Sequence, residues 1–145
     1  MSHQYSTFLV GGHLFGLDVT CVQEVIRPMP MTRVPLAPAV VRGLINLRGQ
    51  IVTALDLRVR LGLGAHGPEA APMNVIVRAD DDVVALLVDE IGDVVMADPD
   101  AWEPAPRTLA PAVRDLIPGA YKLDGRLLLQ LDVDRVLDAC VAPAA

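Results

Sequence analysis

PLAPAVVRGLINLRGQIVTALDL, residues 35–57, is a nearly continuous apolar run interrupted by Arg42, Gly43, Asn46 and the pair Arg48-Gly49. Arg48-Gly49 falls where a two-residue hairpin turns. Beyond it Ile51, Thr53, Leu55 and Leu57 alternate with Val52, Ala54 and Asp56, the period of a strand. The stretch therefore predicts a β-hairpin whose polar tip is carried on an apolar sheet. Such a tip is a contact surface rather than a catalytic pocket.

The flanking segments continue the pattern. Residues 5–10 and 13–18 are short apolar runs around Gly11-Gly12, a hairpin signal. Asp18 is placed to cap a short helix on which Val19, Val22, Val25 and Ile26 share one face, with Gln23 and Glu24 away from it. Arg27-Pro28 ends that helix. Pro28, Pro30, Pro35 and Pro38 make the next segment extended and stiff. After the central hairpin, Asp56 is positioned to cap a helix over 57–62. The stretch 62–72, GLGAHGPEAAP, reads as a flexible surface loop and as the boundary between two sub-units. Strands are expected next at Met73–Arg78, Val83–Val88 and near Gly92–Met96. Residues 97–111 form an irregular, proline-rich connector holding Trp102, and a turn of helix is expected near 111–116. The pair Ala120–Leu123 and Arg126–Leu131 surrounds Asp124-Gly125, a type I′ turn signal. Asp132 then caps a helix over 133–139.

Residues 42–61, RGLINLRGQIVTALDLRVRL, lie without gaps over residues 118–137, PGAYKLDGRLLLQLDVDRVL. Gly43, Leu47, Gly49, Leu55, Asp56 and Leu61 coincide with Gly119, Leu123, Gly125, Leu131, Asp132 and Leu137. Any hairpin leading into a helix has some of this appearance. The sharper reading is two related small β-barrels, each closed by the same unit. Glycines and leucines common to both copies do backbone and packing work. Arg48 becomes Asp124 in the second copy, so its charge is not required by the fold and is free to serve a partner. If the first helix packs beside the hairpin, Glu24 would hold the Arg48 fork by a salt bridge. An ordinary surface arginine is the alternative.

Composition excludes several classes. The chain has 145 residues, 52% hydrophobic but only 3% aromatic, so the core is built from Val, Leu, Ile and Ala. A net charge of −6 without a basic stripe argues against nucleic acid. No apolar stretch is long enough to span a bilayer and no signal-peptide pattern opens the chain, which reads as cytosolic without direct membrane insertion. Cys21 and Cys140 read as buried, reduced structural thiols. His3, His13 and His66 each lack a second ligand at metal spacing and read as structural or solvent-facing. No nucleotide, hydrolase or zinc-protease motif occurs, so no catalytic residue, metal or cofactor is assigned. Asp80-Asp81-Asp82 and Asp98-Pro99-Asp100 read as turns. Asp89-Glu90 reads as a solvated loop or as a charged rim for a partner.

The combination VQEVI (22–26), then PAVVRGLINLRG (38–49), then DLR (56–58) closely resembles the CheW family, the adaptor proteins of bacterial chemotaxis. The similarity extends over essentially the whole chain, through VIVRADDDVVALLVDEIGDVV (75–95) and LIPGAYKLDGRLLLQLDVDRVL (116–137). The resemblance implies an all-β fold of two five-stranded SH3-like barrels sharing an apolar core, with a few short helices. One domain, 1–145, is expected, with sub-barrels over about 5–62 and 73–139 and termini free to interleave. It implies no enzymatic activity and no cofactor. It implies two partners, the cytoplasmic tip of a methyl-accepting chemoreceptor and the regulatory domain of the histidine kinase CheA, in arrays at the membrane. The receptor groove carries over to Val22, Glu24, Arg42, Gly43 and Arg48. Docking barrel against barrel needs apolar strand edges with charged rims, which singles out Met73, Val75, Asp89 and Glu90 for the kinase. The rival class is an SH3-like peptide-binding module outside chemosensing. Such modules carry an aromatic groove, which five scattered aromatic residues do not supply.

Overall fold

The computed structural model describes residues 3–64, 66, 71–79 and 82–141. Among these residues eleven strands form two sheets. The first comprises β1 (His3–Val10), β2 (His13–Asp18), β8 (Glu90–Ala97), β9 (Trp102–Pro104), β10 (Gly119–Leu123) and β11 (Arg126–Gln130), in the order β8-β1-β2-β11-β10-β9. The second comprises β3 (Val22–Ile26), β4 (Val41–Leu47), β5 (Gln50–Asp56), β6 (Met73–Ala79) and β7 (Asp82–Val88), in the order β3-β6-β7-β5-β4. Among the described residues there are also three short α-helices, α1 (Leu57–Arg60), α2 (Pro111–Arg114) and α3 (Val133–Val141).

The apolar strands are nearly continuous because both faces of each sheet are covered. In β6 and β7, Val75, Val77, Leu86 and Val88 enter a core shared by the two sheets. Their neighbours Ile76, Ala85 and Leu87 fill a separate core inside the five-stranded sheet with Ile45 and Val52. The six-stranded sheet does the same. Phe8, Phe15, Leu17 and Leu129 face the shared core, while Tyr5, Leu14, Tyr121 and Leu128 form a third cluster. The result is three apolar layers separated by two sheets.

The duplicated unit is real in structure. β4 and β5 meet at Arg48-Gly49, and β10 and β11 meet at Asp124-Gly125. Gly49 and Gly125 have φ of +89° and +82°, the left-handed region a tight hairpin turn requires. Each second strand then pairs in parallel with a strand from elsewhere, β5 with β7 and β11 with β2. Each unit ends in an Asp-capped helix: Asp56 accepts from the Arg58 amide, and Asp132 from those of Asp134 and Arg135.

Several expectations are corrected. Residues 19–26 are not one helix. Asp18 accepts from the Thr20 amide and caps a single 3-10 turn, Val19–Cys21, after which Val22–Ile26 runs as β3. The valines that satisfy a helical face also satisfy alternation, and β-branching decides for the strand once β6 is available to pair. The expected sub-barrels over about 5–62 and 73–139, with interleaved termini, interleave further in the sheets: β6 and β7 join β3–β5, while β1 and β2 join β8–β11. The first sheet has six strands rather than five because Trp102–Pro104 in the proline-rich connector pairs with Gly119–Tyr121. Asp80, Asp81 and the side chain of Cys140 lie outside the described residues, and Cys21 is a half-buried free thiol.

Candidate functional site

The β4–β5 tip is built by local chemistry. Arg48 itself adopts φ +53°, and the Asn46 Oδ1 accepts the Gly49 amide at 2.8 Å, holding the turn from beneath. The Arg48 guanidinium donates two parallel bonds to Glu24, Nη1 to Oε2 and Nη2 to Oε1, each 2.7 Å. Glu24 lies on β3 and Arg48 comes just after β4, and these strands are opposite edges of the five-stranded sheet. The pair therefore clasps the two edges and is visible proof that the sheet is rolled. Hydrogen bonding to Arg48 holds the Glu24 carboxyl below its ordinary value, and the same bond pushes the guanidinium further up. The Arg48 side chain remains 71% exposed. An exposed pair contributes little to stability, but a bidentate one fixes where the guanidinium points.

The other receptor-groove candidates occupy different depths. Val22 is half-buried against the shared core, and the exposed aliphatics of these elements are Val25 and Ile51. A strand assignment for 22–26 would have exposed Val25 by alternation. Gly43 is buried, and the space above it is filled by this chain. A Cβ there would stand 2.8 Å from the Thr32 carbonyl oxygen and 3.1 Å from the Met31 Cβ. Thr32 and Leu44 exchange both backbone hydrogen bonds at 2.8 Å, which brings the proline-rich segment down onto β4. The close approach at Gly43 is thus made by this chain's own Met31–Thr32 segment. Gly43→Val is expected to destabilise the fold by about 1–3 kcal/mol through overpacking, read as a lowered urea midpoint. A midpoint equal to wild type would show that the Met31–Thr32 segment yields freely.

Arg42 donates from Nη1 to the His66 carbonyl at 3.1 Å. Arg33, Leu36, Pro38, Arg42 and His66 border an open groove of about 630 Å³ beside the proline-rich segment. Of the structural and solvent-facing readings of His66, the structural one holds: it is 8% exposed. Its Nδ1 lies 2.8 Å from Asp56 Oδ1 and its Nε2 lies 2.6 Å from Asp89 Oδ1. The His66 amide donates to Asp56 Oδ2 at 2.9 Å. Asp89 Oδ2 accepts from the Gly11 amide and from Arg58 Nη1, at 2.8 and 2.9 Å. Asp56 ends a strand of one sheet, Gly11 turns the hairpin of the other, and Asp89 joins them, so this network staples the two sheets together. A buried carboxylate needs such partners, and His66 provides two of them to Asp56.

The staple makes an acid-side prediction. Burial alone raises the Asp89 carboxyl, but the Gly11 amide, His66 and Arg58 together outweigh it and leave Asp89 below its ordinary 3.8. A carboxyl depressed in the folded state contributes stability that is complete above its unfolded value and is lost as pH falls through the folded one. Unfolding free energy should therefore decline on acidification below about pH 4, and Asp89→Asn should flatten that decline in urea titrations. An unchanged slope in the variant would remove Asp89 from the staple.

The kinase candidates are revised by the same geometry. β6 lies between β3 and β7 and is no edge. Val75 is fully buried in the shared core and Met73 is half-buried against it, so neither forms an apolar rim. Asp89 is committed to the staple, and Glu90 alone of the four is exposed. The combination of apolar edge and acid occurs instead on β8, an edge strand on which Val94 and Met96 are 60% and 65% exposed beside Asp93.

Among the described residues no group of His, Cys, Asp and Glu side chains is arranged to hold a metal ion, and no helix is long and apolar enough to cross a membrane. A stiff double-sheet body with an ordered charged clasp on its surface defines a docking scaffold. The model of the CheW-like domain matches residues 4–141, and the chain belongs to that family, whose members are non-enzymatic scaffolds. It is 31% identical over 129 residues to the chemotaxis protein CheW of Rhizobium meliloti, covering 89% of this chain and 83% of that one. It is 32% identical over 131 residues to the chemotaxis protein CheW of Bacillus subtilis, covering 90% and 84%. The crystal structure of the scaffolding protein CheW from Thermoanaerobacter tengcongensis superposes with a TM-score of 0.80 at 29% identity, covering 91% of this chain and 90% of that one.

Proposed function

We propose that this protein is a chemotaxis adaptor that links the cytoplasmic tips of methyl-accepting chemoreceptors to the regulatory domain of a CheA-type histidine kinase, in the cytoplasm at membrane-associated receptor arrays. The observation that carries the receptor half is the Arg48–Glu24 clasp, a pre-aimed guanidinium at a hairpin tip whose charge the second copy of the unit does not keep. Arg48 and Glu24 make the contact, Arg42 braces the adjoining loop, and Val22 and Gly43 support the strands beneath. For the kinase, the exposed aliphatic edge at β8 with Glu90 and Asp93 fits a barrel-to-barrel contact better than β6. The mechanism is geometric: one face holds the receptor, another the kinase, and three packed layers keep the two faces in fixed relation.

Arg48→Ala tests this. The melting temperature should be nearly unchanged, because the pair is exposed. Binding to a receptor-tip fragment should weaken by about 1–3 kcal/mol, typical of an arginine at an interface centre, with binding to the kinase regulatory domain retained. Unfolding of the variant, or full receptor affinity per folded molecule, would overturn the assignment.

A further inference from the structure

The six-stranded sheet carries a further surface at β9, the strand at the opposite end of the sheet order from β8. Trp102 opens β9 and lays its indole across Gly119, where any Cβ would collide with ring atoms Cε2, Cζ2 and Nε1. Its N–H donates to Gln130 Oε1 at 2.9 Å, and Gln130 Nε2 donates to the Tyr5 hydroxyl at 3.3 Å. The Tyr5 hydroxyl lies 3.1 Å from that of Tyr121, and the two rings are 5.3 Å apart. The indole is thus held on one face and along its polar edge, yet the residue remains 41% exposed. With Pro99, Pro118, Tyr121 and Gln130 it lines an open groove of about 450 Å³. The fold therefore sets one exposed indole on a base of two buried tyrosines, Tyr5 and Tyr121.

At Pro118 and Gln130 this groove adjoins a second hollow of about 190 Å³, whose lining includes Asp18, Asp132 and Asp134. Arg135 approaches Asp132 at 3.6 Å and is the basic group paired there, so the hollow keeps a negative excess. Cys21 in its wall reports this. Its thiol is pushed up first by burial and then by Asp18, with Asp134 and Asp132 adding to it. A groove that presents a hydrogen-bonded indole between Pro99 and Pro118 suits the flat rings of a polyproline helix, which loses little entropy on docking. A neighbouring acidic hollow suits a guanidinium.

We propose that this face binds an extended, proline-containing peptide segment bearing an arginine, with prolines on the Trp102 groove and the guanidinium in the Asp18–Asp134 hollow. The site lies on the six-stranded sheet, apart from the Arg48 clasp on the other, and stands independently of the adaptor role. Trp102 is the chain's only tryptophan, so its emission reports occupancy directly. The probes are a proline decapeptide ending in arginine, the same decapeptide ending in glutamate, and a glycine-serine decapeptide ending in arginine. The arginine-proline probe should give a saturable spectral change, with the other two at least about tenfold weaker. Asp134→Lys, at an exposed position, should preserve the melting temperature and weaken that probe by about tenfold or more while sparing the glutamate probe. Trp102→Ala, measured by calorimetry, should abolish binding. No saturable change up to about 1 mM probe, or equal affinity for all three peptides, would overturn the proposal, as would full affinity in Asp134→Lys.

Discussion

Asp56→Ala should cost about 3–5 kcal/mol of folding stability, because it leaves several donors without their carboxylate at about 1–3 kcal/mol each. Asp56 is 1% exposed and serves three donors, the Arg58 amide, the His66 amide and His66 Nδ1. Alanine would leave the buried His66 ring and the His66 amide each without a partner and uncap α1. The duplicated unit supplies its own control. Asp132 occupies the matching position but serves only as a cap and a surface partner, so Asp132→Ala should cost about 1 kcal/mol. Parallel urea melts decide the matter. Equal losses in the two variants would show that Asp56 is a cap and nothing more.

Phe15→Ala should cost a similar 3–5 kcal/mol for a different reason, a cavity in the layer both sheets share. Phe15 is fully buried and stacks with Phe8 at 6.1 Å between centroids. A chain of this size should then melt roughly 10–15 °C lower. The loss should appear in both sheets at once, since Phe15 touches the layer that receives Leu86 from one and Leu129 from the other. Hydrogen exchange that accelerates in the six-stranded sheet alone would show that the sheets are stabilised separately.

Short-range chemistry is the part of this molecule that was legible in the sequence. Arg48-Gly49 and Asp124-Gly125 turn where left-handed backbone is accessible, and Asp18, Asp56 and Asp132 each cap the helical turn directly after them. The Glu24–Arg48 pair was also within reach, because a strand and a helix both bring position 24 to the hairpin. The failures are non-local. Val22–Ile26 satisfies two periodicities, and only β6, many residues later, selects between them. The loop after α1 has the composition of a linker, yet His66 finds partners 10 and 23 residues away. Met73 and Val75 looked like an edge until β3 covered them. Trp102 meets Gln130 and Tyr121 through sheet pairing that no spacing rule encodes.

The path of the chain has a consequence for how the molecule is made. β1 and β2 leave one sheet, the chain completes the whole of the other between Val22 and Val88, and then returns through β8 to β11. During synthesis from the N-terminus the inserted barrel has every strand it needs once Val88 has emerged. The opening hairpin, with Phe8 and Phe15, must wait until β8 and then β11 arrive to cover its two edges. Pairings that span so much of the chain fold slowly, and an uncovered hairpin edge is open to other chains meanwhile. The molecule is therefore most vulnerable to self-association late in its own translation, and a truncation before β11 strands a hairpin whose two phenylalanines the finished protein hides completely.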